Sequence, residues 1–74
     1  MDRMKIGEKL RLLRGTRTIQ DVSEATGIAW STICMYELGQ RMPSDDNKTV
    51  LAKYYNMTVG QLFFDGDIAK SNST

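Results

Sequence analysis

The 74-residue sequence predicts an all-α fold, a compact bundle of five short helices. Apolar residues recur at spacings of three and four in five separate stretches. Glycine, proline or asparagine stands between one stretch and the next. No segment alternates apolar and polar residues with period two for long enough to make a strand. A chain of this length has interior for one hydrophobic core, so residues 1–64 are read as one domain and the small, polar run 65–74 as a disordered tail.

In the first helix Ile6, Leu10 and Leu13 line one stripe, Lys5, Lys9 and Arg11 occupy the other faces, and Gly15 stops it. Thr18 is a suitable N-cap for the second, with Asp21 in the acidic first turn that the helix dipole favours and Val22 and Ala25 facing inward. Gly27 supplies the left-handed backbone that ends a helix, and Ile28 is the buried residue after it. A third helix runs from about Ala29 to Leu38. There Ile33, Tyr36 and Leu38 have the spacing to pack inward, and Trp30, Ser31, Cys34 and Met35 fall on the outer side. Gly39 closes it, and Met42-Pro43 forms the link to a fourth helix capped by Ser44, with Asp45 and Asp46 in its first turn. Val50, Leu51, Tyr54 and Tyr55 form its apolar stripe, and Asn56 ends it. Thr58 and Gln61 read as a capping box for a short fifth helix, whose Val59, Leu62 and Phe63 complete the core.

Net charge is only +1, but it is unevenly spread. Residues 1–17 hold Arg3, Lys5, Lys9, Arg11, Arg14 and Arg17 against Asp2 and Glu8, whereas residues 18–47 hold five acids against Arg41 alone. Cys34 is the one cysteine and there is no histidine, so neither an internal disulfide nor a cysteine-histidine metal site is expected. No apolar run approaches the roughly 20 residues of a membrane span, which together with the lone thiol points to a cytoplasmic protein. No glycine-rich phosphate loop and no nucleophile with a base at a recognisable spacing is present. An enzyme is not expected, and no cofactor is implied.

The most informative segment is Thr18 to Gly39, two short helices across a tight glycine turn. This arrangement projects the second helix off the domain, where its outer side fits a DNA major groove about 12 Å wide. The stretches Leu10-Arg-Leu-Leu-Arg-Gly15, Val22-Ser-Glu-Ala-Thr-Gly-Ile28, Ser31-Thr-Ile-Cys-Met-Tyr-Glu37, Gly39-Gln-Arg-Met-Pro-Ser44, Leu51-Ala-Lys-Tyr-Tyr55 and Val59-Gly-Gln-Leu-Phe-Phe64 occur in order. With them the chain, from about Ile6 to Phe64, resembles the lambda-repressor/Cro-like helix-turn-helix family, also called the xenobiotic-response-element family.

The resemblance implies a sequence-specific DNA-binding regulator of transcription, a repressor of bacterial or phage type, acting as a homodimer on double-stranded operator DNA. It places Ala29, Trp30, Ser31, Thr32 and Met35 toward base edges. It sets Thr18 and Ile19, and Gln40 and Arg41 after the third helix, toward phosphates. It also makes Arg14 and Glu37 a partly buried structural ion pair. The family commonly has Gln at the position of Ile19, a capping Ser at that of Ala29, and Arg or Gln at those of Trp30 and Met35. The side chains that form paired hydrogen bonds to purines are therefore missing. That departure keeps a second expectation open, in which the apolar Trp30 and Met35 face binds a protein partner in the manner of an antirepressor.

Overall fold

The computed structural model describes residues 3–64, and among these residues the chain forms five helices and no strand. The run 65–74, expected to be a disordered tail, lies outside the described residues.

Helix α1 (Arg3–Arg14) turns Ile6 and Leu10 into the core and lays Leu13 against it. Gly15 follows with φ 60°, a conformation that strains any side chain, and the helix stops there. Helix α2 (Ile19–Thr26) opens on a reciprocal cap: Asp21 N donates to Thr18 Oγ1 at 3.0 Å, and Thr18 N donates to Asp21 Oδ2 at 3.1 Å. Its inward arc runs over Ile19, Val22, Ser23 and Thr26, all buried or half-buried. Ala25, expected to face inward, is exposed. With a helical step of about 100°, it lies on the far side of Val22 from the arc that Ile19 and Thr26 define.

Helix α3 (Trp30–Glu37) buries Ile33 and Tyr36. Leu38, expected inward, caps the helix and is 65 % exposed. Two residues beyond Tyr36 a helix has turned by about 200°, which carries Leu38 to the outer side. Helix α4 (Asp45–Tyr54) starts at Ser44, whose Oγ accepts from Asn47 N at 3.2 Å. Leu51 and Ala52 are its buried residues, while Val50 and Tyr54, with Tyr55 at the C-cap, pack against the core only in part. Asn56, at φ 59°, ends it. The fifth helix, Gly60–Phe64, is wound as a single π-helical turn. Before it, Gln61 N donates to Thr58 Oγ1 at 2.9 Å and Thr58 N donates to Gln61 Oε1 at 3.0 Å. Leu62 and Phe63 are fully buried, with Val59 packed against the same core.

All five helices, and Ile28 in the α2–α3 turn, supply residues to one buried cluster. Helices α1 and α3 approach closely at Gly7. A Cβ added at Gly7 would stand 2.6 Å from the carbonyl oxygen of Tyr36 and 2.7 Å from that of Glu37, so the two backbones meet where only glycine fits. Among the described residues no helix is long and apolar enough to cross a membrane.

Candidate nucleic-acid interface

The turn between α2 and α3 decides which side of α3 faces out. Gly27 takes φ 78°, and its N–H donates to Ser23 O at 2.8 Å. Two hydroxyls knit the same turn: Ser23 Oγ donates to Ile28 O at 2.6 Å, and Thr26 Oγ1 donates to Val22 O at 2.7 Å while accepting from Ile28 N at 3.2 Å. Ile28, 6 % exposed, anchors the turn in the core. With its inner side held by Ile33 and Tyr36, α3 leaves Trp30 52 % and Met35 36 % exposed. Ala29 and Ser31 are exposed as well, and Thr32 is half-buried. Ala29 occupies the N-cap with no side-chain hydrogen bond, a deficit of about 1 kcal/mol against Ser or Asp at this position. No side chain on the outer side of α3 is charged.

The residues expected to meet phosphates are arranged less uniformly. The hydroxyl of Thr18 and its backbone N–H are both engaged by Asp21, which also brings a carboxylate to this helix end. The side chain of Ile19 packs against the core. What α2 can offer an anion is therefore its first-turn amides at Ile19 and Gln20, which a helix leaves without intrahelical acceptors. Gln40 and Arg41 are exposed after α3, where Gln40 N donates to Met35 O at 2.9 Å.

Beneath this surface Arg14 and Glu37 form a two-point pair. Nε donates to Oε2 at 2.8 Å and Nη2 to Oε1 at 3.0 Å, with the side chains 19 % and 7 % exposed. The carboxylate holds the Arg14 guanidinium above its ordinary pKa, chiefly through these hydrogen bonds. Arg14 Nη1 also donates to Arg17 O at 2.8 Å, joining the α1–α2 loop to α3.

Sequence reasoning missed three further contacts, two that position α3 and one that ties the α1–α2 loop to the end of α4. Asn47 Nδ2 donates to Tyr36 Oη at 2.8 Å, tying α3 to α4. Arg17 lies over the rings of Tyr54 and Tyr55, 5.3 Å from each centroid. The third is the glycine approach at Gly7. All three pair residues remote in sequence, and no local pattern announces them.

Half-burial, with the nearby Glu37 charge second, pushes the Tyr55 phenol up to about 12. Its unfolded form ionises near pH 10, so the folded state binds the proton more tightly. The resulting stability is complete below pH 10 and is lost as pH rises through the folded value. Urea midpoints measured from pH 8 to 11 should fall more steeply for the native protein than for Tyr55→Phe. Parallel curves would show that Tyr55 ionises alike in both states.

Among the described residues no three His, Cys, Asp or Glu side chains are grouped to hold a metal ion. Comparison with models of protein families, with curated proteins and with solved structures finds no match to this chain.

Proposed function

We propose that this chain is a sequence-specific DNA-binding regulator of transcription. In this reading α2 and α3 form a helix-turn-helix, α3 enters the major groove, and a homodimer reads a two-fold-related operator. One observation carries the reading. A two-turn helix, buried along one side and projected by a tight glycine turn, presents its opposite side uncovered by any other element among the described residues.

The same observation sets the mode of recognition. An indole offers one donor and a broad apolar surface, so Trp30 covers a thymine methyl but makes no paired hydrogen bonds to guanine. Specificity is then modest, leans toward A·T-containing sites, and depends in part on DNA shape. Arg41 acts on phosphate and carries no sequence information.

The test is a binding assay, at several salt concentrations, on DNA flanking the protein's own gene and on random DNA. The native protein should prefer the flanking DNA and show a steep salt slope. Trp30→Ala should remove most of that preference while leaving the thermal midpoint within about 4 °C, since an exposed side chain adds little to the core. Arg41→Ala should weaken all sequences alike and reduce the salt slope by about one unit. Absence of any salt-dependent binding would reject the reading.

The uncharged outer side of α3 favours a second reading, a protein-binding module whose Trp30 and Met35 side docks on a partner. Under that reading Trp30→Ala leaves DNA binding unchanged and abolishes capture of the partner.

A further inference from the structure

The outer side of α1 is a second exposed surface with its own chemistry. Residues four apart stack along a helix, and in α1 the outermost row is Met4, Glu8 and Leu12, with Arg11 beside it. All four are exposed, Met4 at 69 % and Leu12 at 80 %. Leu38, at 65 %, joins them: it shares a groove with Arg11, and its neighbour Gly39 lies so close that an added Cβ would stand 3.1 Å from Met4 Cα. Single exposed apolar side chains need no explanation, but three grouped around one helix face do.

We propose that this face binds a second copy of the chain, with α1 packed antiparallel on the partner's α1 about a two-fold axis. The charges choose the occupant. Glu8 and Arg11 are opposite in sign and one turn apart, so an axis passing between them brings each Glu8 to the other copy's Arg11, and both pairs form at once. A partner of one charge sign meets an attraction at one residue and a repulsion at the other. A lipid surface would have to accept Glu8 between the two apolar side chains of the row. Leu12, Met4, Leu38 and the aliphatic stem of Arg11 supply the apolar contact. Because α1 has 12 residues, and is thus about 18 Å long, the interface is small and association is weak. The DNA-binding reading calls for a two-fold dimer, and this face is proposed as its interface. The inference rests on that reading only for this use, since association is measured without DNA.

The experiment is sedimentation equilibrium of the full chain, without DNA, at concentrations from about 1 µM to 1 mM. The native protein should dimerise. Glu8→Arg and Arg11→Glu should each weaken association by about tenfold or more, and the double variant Glu8→Arg/Arg11→Glu should recover it to within a few-fold. Leu12→Asp should leave a monomer with unchanged helicity by circular dichroism, and Leu12→Gln should weaken association in the same direction if the aspartate disturbs the helix. A native monomer at the highest concentration would overturn the proposal. So would a dimer indifferent to these changes, or a double variant no better than the single ones. None of these failures touches the DNA assay, which is read separately.

Discussion

Replacing Gly7 with alanine should destabilise the protein by about 3 kcal/mol, measured as a drop in the urea midpoint, although in an exposed helix interior the same change stabilises by roughly 1 kcal/mol. The sign reverses because of what the new methyl meets. Its Cβ would stand 2.6 Å and 2.7 Å from the backbone oxygens of Tyr36 and Glu37, and backbone carbonyls have no rotamer into which to retreat. Relief requires α1 and α3 to separate, which loosens Ile6 and Leu10 from the core and lengthens the Arg14–Glu37 pair that spans the same two helices. Gly60→Ala is the control. The nearest atom to a Cβ there is Thr58 Oγ1 at 3.8 Å, ordinary contact, so that variant should stay within about 1 kcal/mol of the native protein. A Gly7→Ala protein as stable as the native one would mean that α1 and α3 do not meet at this glycine.

The second large effect is expected at the ion pair, where Arg14→Ala should cost about 3 kcal/mol and Glu37→Ala somewhat less. Burial decides the order. Arg14→Ala strands a carboxylate whose side chain is only 7 % exposed and also removes the hydrogen bond to Arg17 O. Glu37→Ala strands a guanidinium that is 19 % exposed and keeps that carbonyl partner. The double variant should cost clearly less than the sum of the two, since it leaves neither charge alone. Arg14→Lys should not restore the native value, because one ammonium cannot serve both carboxylate oxygens in the plane that Nε and Nη2 occupy. Additive single effects in a double-mutant cycle would show that the two residues are not coupled.

What the sequence made legible is local. Thr18, Ser44 and the Thr58–Gln61 pair cap helices, and Gly15, Gly27, Gly39 and Asn56 all take positive φ, because a cap or a stop involves residues within four positions of one another. The core stripe was legible for the same reason in Ile6, Leu10, Val22, Ile33, Leu51, Leu62 and Phe63. Misjudged positions depend on where a helix sits against its neighbours. Ala25 and Leu38 were expected inward, and Ala52 was not expected in the core at all. The π winding of the last helix has no periodicity to reveal it over five residues.

At the candidate interface the outward placement of Trp30 and Met35 followed from the period set by Ile33 and Tyr36. The behaviour of Ile19 did not. The cap that occupies the Thr18 hydroxyl is local and legible, but whether the next side chain dips into the core is a fact of three-dimensional geometry.

Helix α3 has eight residues and no side chain bonded at its N-cap, too short and too poorly started to persist in water by itself. Its helicity is lent by Ile33, Tyr36 and Glu37, all on the inner side or at its edge, through contacts with α1, α2 and α4. The outward positions therefore contribute less to the existence of the helix that displays them than the inward ones do. Trp30, Ser31 and Met35 form an exchangeable cassette: their identities can drift or be randomised in a library without a compensating change in the scaffold, whereas a peptide of residues 29–38 excised from the protein would lose its shape together with its surface.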